Sequence, residues 1–313
     1  MIHTHDKTDV KPSTAAALPP ASLIICSRNR PRLLAETVAS VLRGDDVPDE
    51  LVIVDQSRAP HPTLAYAPLR SRCRLRYLWS QSVGLSCARN IGIAAAQYPI
   101  LAFTDDDVLA PPTWFGGLLR AQLAAGPRGV VTGRVVQAEE AGGDFAPSLK
   151  DDMAPTVYEG RPGVDVLWSN NMAMYRAAVD DVGSFDERLG AGGHFPAAED
   201  NDFGFRLLEA GYRIFYVPEA LIYHRAWRSG RDYVRLRWAY GRGQGAFFAK
   251  HLSLTDRHML RRLSASVRSH SMNAATRFRR HPRLAYGDAV YTAGLLSGAV
   301  EWLVRQRTIV SEG

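Results

Sequence analysis

The sequence predicts an α/β fold in which a mostly parallel, Rossmann-like sheet is flanked by helices and followed by a helical C-terminal extension. Short, continuously apolar runs alternate with helical patterns along the first half of the chain. This alternation is typical of strands that are buried on both faces of a parallel sheet. Polar residues follow several of these runs directly, and the C-terminal part is helical and rich in arginine.

The first half supplies the clearest elements. Strands are predicted at residues 22–26, 51–54, 75–79 and 100–103, and helices at residues 32–42 and 86–96. Pro31 opens the first helix and Gly44 closes it. In parallel sheets the binding crevice lies beyond the carboxyl ends of the strands. Ser27, Asp55 and the run 105–107 (DDD) are therefore expected in one crevice.

The second half has a less regular pattern. Strands are predicted at residues 129–136, 164–175 and 212–217, the last of them ended by Pro218, and a helix at residues 199–210. Residues 138–163 are rich in Gly, Pro, Asp and Glu, which indicates a long loop. From residue 232 onward the pattern is helical, with a break at His281 and Pro282.

The charge of the chain is divided unevenly. Of 313 residues 46% are hydrophobic, and the net charge is +6, yet residues 225–313 carry 17 Lys and Arg against five Asp and Glu. This excess predicts either an anionic partner or a solvated basic helical face. The stretch 289–304 is too short and too polar to span a bilayer, which favours a packed amphipathic helix over one lying on a membrane surface.

The ends and cysteines of the chain predict its setting. Residues 1–20 are polar, without the apolar run of a signal peptide, and predict a loose tail. Three cysteines form neither a disulfide framework nor a metal-ligand spacing, which favours a reducing cytoplasm. The sequence has no Gly-x-Ser-x-Gly nucleophile elbow and no Walker A loop.

Two acidic clusters carry the predicted chemistry. Asp105 and Asp107 are alternate residues at a strand end, so both can face one Mg²⁺ or Mn²⁺, ions that prefer oxygen ligands. Glu199 and Asp200 begin a helix, where one of them can accept a proton from an attacking hydroxyl or simply cap the helix. His224 follows the 212–217 strand and is a candidate metal ligand.

Several segments together resemble family 2 glycosyltransferases of the GT-A type. They are residues 22–31 (SLIICSRNRP), 51–57 (LVIVDQS), 84–94 (GLSCARNIGIA), 101–108 (LAFTDDDV), 169–176 (SNNMAMYR), 183–190 (GSFDERLG), 198–206 (AEDNDFGFR) and 217–224 (VPEALIYH). These segments stand in the expected order over roughly residues 20–225.

The resemblance implies a role for each matching residue. Residues at donor-binding positions are Ser27, Arg28, Asp55, Arg89, Asn90, Asp106, Asn170 and Asn171. Asp105 and Asp107 match metal-binding acids, and His224 matches a position that completes the metal site in some relatives. Asp200 matches the catalytic base, with Glu199 as the alternative.

The resemblance also implies what the protein does. It implies a GT-A catalytic domain at residues 21–225, with a basic helical extension at 226–313, and inverting transfer from a UDP- or dTDP-sugar to an acceptor hydroxyl. A saccharide or lipid-linked acceptor is expected, in surface polysaccharide or glycolipid biosynthesis. The expected location is the cytoplasm, with peripheral contact at the inner face of the membrane through the basic segment.

Two other functions fit parts of the sequence. A metal-dependent phosphatase or phosphotransferase would use Asp105 as its nucleophile, but it leaves residues 22–31 and 198–206 without a role. A basic module that binds nucleic acid or anionic lipid would use the C-terminal arginines. The acidic crevice and the absence of a recognised motif argue against nucleic acid as a partner.

Overall fold

A computed structural model describes residues 18–66, 73–139, 143, 146 and 148–311; for residues 306–311 it describes the backbone. Nine strands form one sheet in the order β3-β2-β1-β4-β8-β6-β9-β5, and β7 pairs with β9. The strands are β1 Ala21–Ser27, β2 Glu50–Asp55, β3 Arg74–Trp79, β4 Ile100–Asp105, β5 Val108–Leu109, β6 Gly129–Gln137, β7 Thr156–Tyr158, β8 Asn171–Tyr175 and β9 Arg213–His224. The predicted fold class is confirmed.

Four strands form the parallel half of the sheet, β3-β2-β1-β4. All four predicted strands of the first half are found here. β1 and β2 are buried along their whole length. Their Val, Ile and Leu side chains alternate between two hydrophobic cores, one on each face of the sheet. Their carboxyl ends lie at the same edge of the sheet.

The other half is mixed, and here two predictions were wrong in their bounds. The strand predicted at 164–175 is a strand only over β8, because residues 164–170 lie outside the ladder. β9 does not end at Pro218 but continues to His224. Its pairing with β6 shifts register after Gly133, so that Pro218 falls in the irregular stretch, where its missing N–H costs no ladder bond. β7 lies inside the predicted long loop.

Helices cover both faces of the sheet. The predicted helices appear as α1 Pro31–Leu42, α2 Leu85–Ala95 and α5 Glu199–Glu209, and the sequence reading had omitted α3 Trp114–Ala125 and α4 Arg176–Val182. Pro31 stands at the first helical position of α1, where its missing N–H costs nothing. α5 follows Ala198, whose φ of 68° is left-handed, and this sharp entry turns the first residues of α5 toward the sheet edge.

Three helices follow the sheet: α6 Tyr233–Lys250, α7 His258–Arg277 and α8 Pro282–Ser311. α6 lies between α8 and the start of α5, and two small cores join them to the α/β part. In the described part of the chain no helix combines the length and the apolar character that crossing a bilayer requires. The predicted tail at 1–20 lies outside the described residues apart from residues 18–20.

Candidate active site

The crevice is formed at the carboxyl ends of β1, β2 and β4. Ser27 is paired in register with Asp55, and Cys26 with Asp105, so the polar strand ends predicted to meet do lie side by side. Arg28 follows β1 and is exposed. Asp55 is buried, and its carboxylate accepts hydrogen bonds from the backbone N–H of Ser57 at 2.9 Å and from the Tyr77 hydroxyl at 2.5 Å.

Asp106 points into the protein rather than into the crevice. Its side chain is completely buried; the Ser27 hydroxyl donates to one carboxylate oxygen at 2.6 Å, and the Arg30 guanidinium contacts both oxygens. Burial raises the pKa of Asp106 to about 7, although the Arg30 charge acts in the opposite direction. This placement differs from the expected contact with the donor, and it makes Asp106 the anchor of Ser27 and Arg30.

Asp107 and His224 form the second feature of the crevice. The antiparallel pairing of β5 with β9 sets Val108 opposite His224, which brings His224 Nε2 to 3.1 Å from Asp107 Oδ1 across 117 residues of sequence. Both side chains are buried. The other oxygen of Asp107 accepts from Trp227 Nε1 and Arg30 Nη1, both at 2.7 Å. Although burial raises it, these partners hold the pKa of Asp107 well below its usual range.

The Asp107–His224 pair fits a small divalent cation with two protein ligands. Two neighbouring ligands of an octahedral Mg²⁺ with bonds of about 2.1 Å lie about 3 Å apart, close to the observed 3.1 Å. Within the described ranges, no group of three or more His, Cys, Asp and Glu side chains is arranged to hold a metal. Mg²⁺ is commonly held by one or two carboxylates together with substrate phosphates, so the Asp107 carboxylate, with His224 beside it, has the chemistry of a ligand for such an ion.

Asp105 faces a different partner from Asp107. Its side chain is about 25% exposed and lies 3.5 Å from Arg89 Nη2. Burial raises its pKa, and the nearby charge of Arg89 opposes that rise. The expectation that Asp105 and Asp107 share one cation stays a prediction, since the contacts described here join Asp105 to Arg89 and Asp107 to His224.

Arg89 links the two acidic clusters. It is buried on α2, and its guanidinium contacts Glu199 Oε1 at 3.0 Å as well as Asp105, while the Phe185 ring packs against it at 5.3 Å. A buried guanidinium needs anionic partners, and each carboxylate is in turn neutralised by it. Arg89 therefore holds the start of α5 against the end of β4.

Asp200, the predicted catalytic base, lies next to Glu199 in the sequence. It lies in the first turn of α5, half-buried, and its Oδ1 accepts the backbone N–H of Asn201 at 2.9 Å. Burial and then the negative charge of Glu199 raise the pKa of Asp200 to about 8. Glu199 is paired with Arg89, and the neighbouring Asp200 carries the raised pKa.

The predicted asparagines have three different environments. Asn90 binds the backbone N–H and C=O of Phe185, which fixes the loop before α5. Asn171 is completely buried; it accepts from Trp114 Nε1 and donates to the Ala220 carbonyl, which ties β8 to its neighbours. The amide atoms of Asn170 are buried and have no hydrogen-bond partner in the described structure, so Asn170 is the one of the three that offers unused polar atoms.

Sequence reasoning missed Arg30 and Trp227, which both contact Asp107. Arg30 lies in the quoted segment 22–31, and its spacing of three residues from Ser27 is a signal for a side chain near the same strand end. Trp227 follows His224 by three residues in a basic loop. The Arg30 guanidinium stacks on the Trp227 ring, 5.1 Å from its centroid, so the two residues that bind Asp107 also contact each other.

Comparison with known proteins identifies the family of the chain. The model of Glycosyl transferase family 2 matches residues 22–183, and that of Glycosyl transferase family group 2 matches residues 105–301. The chain is 28% identical over 239 residues to the pre-mycofactocin glycosyltransferase of Mycobacterium tuberculosis (strain ATCC 25618 / H37Rv). The match covers 74% of this chain and 48% of that relative.

Shorter matches occur to two other proteins. The validoxylamine A glucosyltransferase of Streptomyces hygroscopicus subsp. limoneus is 30% identical over 126 residues, 39% of this chain and 28% of that protein. The N-acetylglucosaminyl-diphospho-decaprenol L-rhamnosyltransferase of Mycobacterium tuberculosis is 39% identical over 101 residues, 31% of each protein. The chain spans about half the length of the first relative and less than a third of these two.

Solved structures show the same fold. The mannosyltransferase PcManGT from Pyrobaculum calidifontis, in complex with GDP-Man and Mn²⁺, superposes with a TM-score of 0.61 at 16% identity, covering 92% of this chain and 88% of that one. S. aureus TarS 1–349 gives a TM-score of 0.50 at 15% identity, with 92% and 91% covered. At these identities the likeness establishes the fold.

Proposed function

The chain belongs to glycosyl transferase family 2, and we propose that it moves a sugar from a UDP- or dTDP-sugar to an acceptor hydroxyl with inversion. That it is a glycosyltransferase follows from the family. The observation that carries the mechanism is the pairing of Arg89 with Glu199 and Asp105, because it joins the start of α5, where Asp200 lies with a raised pKa, to the acidic end of β4. A single displacement needs one group on each side of the reacting carbon and no nucleophilic residue.

On the leaving-group side, Asp107 and His224 are the proposed ligands of Mg²⁺ or Mn²⁺, and Asp105 is the proposed third ligand, facing the diphosphate. Such an ion, when bound, neutralises the charge that develops on the departing diphosphate. The contacts of Arg30 and Trp227 fix the Asp107 carboxylate, so its orientation is set by the protein.

On the acceptor side, Asp200 is the proposed general base. Its carboxylate takes the hydroxyl proton while the acceptor oxygen forms its bond to the anomeric carbon. The bond between that carbon and the phosphate oxygen breaks, and its electron pair leaves with the nucleoside diphosphate. Glu199 holds Arg89 and is a positioning residue in this proposal.

The remaining donor contacts are assigned along the crevice. Ser27, Arg28 and Asp55 are proposed to contact the base and ribose, and the free amide of Asn170 is proposed to contact the sugar. The contacts of Asn90, Asn171 and Asp106 support the positions of other residues instead. Arg89 is proposed to act through Asp105, because its guanidinium is buried between the two acids.

The acceptor and setting rest on the relatives. The rhamnosyltransferase relative acts, by its name, on a diphospho-decaprenol-linked sugar. We propose a saccharide or lipid-linked acceptor for this chain, in surface polysaccharide or glycolipid biosynthesis. Catalysis is assigned to residues 21–225, with 226–313 as a basic extension that contacts the inner face of the membrane peripherally.

Donor hydrolysis tests this proposal without knowledge of the acceptor. Release of nucleoside diphosphate is measured from UDP-, dTDP- and GDP-sugars with Mn²⁺, in the wild-type protein and in Asp107→Ala. Asp181→Asn, at the opposite edge of the sheet, is the matched control. Metal-dependent release from a UDP- or dTDP-sugar, lost only in Asp107→Ala, is expected. Release of phosphate from simple phosphate esters instead would overturn the proposal.

A further inference from the structure

Helix α8 has two faces of different character. Its inner face packs closely on α6, because Gly298 lies where an added Cβ would overlap the Arg242 carbonyl oxygen, and Leu295 and Trp302 are buried there. Its outer face exposes apolar side chains, among them Leu296 at 48% and Val300 at 61%. The sequence favoured a packed amphipathic helix for residues 289–304, and the structure packs one face of it and exposes the other.

The exposed residues follow a regular helical spacing. They are Ala289, Ala293, Leu296, Val300, Leu303 and Val304, hereafter the apolar stripe. Steps of three and four residues keep them on one side of the helix over about 20 Å. The acids of α8 are turned inward, Asp288 to Arg237 at 2.7 Å and Glu301 to Arg242 at 2.8 Å, so neither carboxylate interrupts the stripe.

Arginines stand at both ends of the apolar stripe. Arg279, Arg280 and Arg283 are exposed before it, and Arg305 follows it, exposed although its Nε lies 3.3 Å from Glu301 Oε1. Because Glu301 also pairs with Arg242, this end keeps a net positive charge. Exposed aromatic and aliphatic side chains accompany the first group, namely Phe278, Leu284 and Tyr286. Basic ends, interfacial aromatics and an apolar middle are the features of a helix that lies in the plane of a membrane surface.

Charge decides between a membrane and a second copy of the chain as the occupant. If two copies paired by a two-fold axis with antiparallel helices, Arg283 and its neighbours would face Arg305 of the other copy. With parallel helices, each arginine group would face itself. Both arrangements bring like charges together, whereas an anionic lipid surface attracts both ends of the stripe.

We infer that the apolar stripe and its flanking arginines dock the protein, with α8 parallel to the membrane plane, on a bilayer that contains anionic lipids. This deepens the proposed peripheral contact and rests on that proposal for the location of the acceptor. The apolar side chains enter the boundary between headgroups and acyl chains, and the arginines contact lipid phosphates.

Vesicle sedimentation tests the inference. The wild-type protein is mixed with vesicles of phosphatidylcholine and phosphatidylglycerol, or of phosphatidylcholine alone, at low and high salt. We expect the protein to pellet with the anionic vesicles, less so at high salt. Leu296→Glu/Val300→Glu and Arg279→Glu/Arg280→Glu should each weaken this binding at least tenfold. Leu254→Glu, at a fully exposed site between α6 and α7, should bind as the wild type does.

Two outcomes would overturn the inference. One is vesicle binding that is absent in the wild type or unchanged in the stripe variant. The other is a wild-type dimer in analytical ultracentrifugation that Leu296→Glu/Val300→Glu dissociates. Thermal stabilisation by a nucleoside diphosphate with Mn²⁺ is measured on the same variants. In the variants this stabilisation should persist while vesicle binding is lost. A wild-type protein that is stabilised by the nucleotide but does not bind vesicles would refute the docking inference and leave the proposed function standing, whereas vesicle binding without nucleotide stabilisation would do the reverse.

Discussion

His224 Nε2 lies 3.1 Å from Asp107 Oδ1 although 117 residues separate them in the sequence. The short antiparallel pairing of β5 with β9 creates this contact, because it sets the residue after Asp107 opposite His224. A strand that runs through Pro218 is therefore needed to deliver the histidine. The metal proposal depends on this register as much as on the two side chains.

Removing the proposed base should affect chemistry and leave donor binding intact. We expect Asp200→Asn to lower kcat about 10²- to 10⁴-fold, the usual contribution of a general base. Because Asp200 has no contact with the Asp107–His224 pair, the affinity for nucleoside diphosphate should change little. Steady-state kinetics and calorimetric titration measure the two quantities. Equal loss of both in a well-folded protein would contradict the assignment.

The raised pKa of Asp200 predicts a pH dependence of the rate. Since the free protein holds this pKa at about 8, the deprotonated base becomes more abundant as the pH rises toward that value. We expect kcat/KM to increase between pH 6 and pH 8 and to level off above it. A pH–rate profile with saturating donor checks this, and a profile that falls over the same range would refute it.

The raised pKa of Asp200 also predicts that the folded protein becomes less stable over the pH range in which the base becomes active. The pKa of Asp200 is higher in the folded protein than in the unfolded chain, so protonation of this carboxyl favours folding. This contribution to the free energy of unfolding is present at low pH and is lost as the pH rises through about 8. Asp200→Asn, which is neutral throughout, should therefore have a higher Tm than the wild type at pH 8 and a similar one at pH 4. Thermal denaturation at both values measures this, with Asp181→Asn as the control.

Arg262 holds α7 to the α/β part of the molecule. Its Nη2 lies 2.6 Å from Asp165 Oδ1, and its side chain is nearly buried. We expect Arg262→Ala to lower the free energy of unfolding by about 1–3 kcal/mol, below the value for a fully buried pair because Asp165 is partly exposed. Arg261→Ala, at the exposed neighbouring position, should change it little in chemical denaturation.

Close packing of α6 on α8 gives a further stability prediction. An added Cβ at Gly245 would come within 1.9 Å of the Leu295 carbonyl oxygen, whereas one at Gly117 on α3 meets nothing within 4 Å. Gly245→Ala should therefore destabilise the protein by about 1–3 kcal/mol, and Gly117→Ala should stabilise it by up to about 1 kcal/mol. Urea denaturation of the two variants compares the same substitution in both surroundings.

The parallel half of the sheet could be predicted because its signals are local. Residues 22–26 and 51–54 are continuous apolar runs, and such runs need no knowledge of their neighbours to be recognised as buried strands. The ends of these strands then place Ser27, Asp55 and Asp105 in one crevice by the geometry of any parallel sheet. The strand-end part of the candidate site followed from this rule, whereas Arg89, Asn170 and the choice of Asp200 as the base came from the family resemblance.

Distant residues decide the features that no local pattern predicts. Pro218 looked like a strand end, and only the register shift opposite Gly133 allows β9 to pass it. Asn171 belongs to the quoted segment 169–176, yet its side chain hydrogen-bonds to Trp114 and to the Ala220 carbonyl, and no local pattern connects these residues to it. The turning of Asp106 away from the crevice likewise depends on Arg30.

Thermal stabilisation by a panel of UDP, dTDP and GDP, with and without Mn²⁺, tests the central claim most directly. A ligand that binds the folded state raises Tm by mass action. We predict stabilisation by UDP or dTDP that requires the metal and disappears in Asp107→Ala/His224→Ala but not in Asp181→Asn. Stabilisation that is equal without metal, or equal in the double variant, would contradict the metal-dependent donor site.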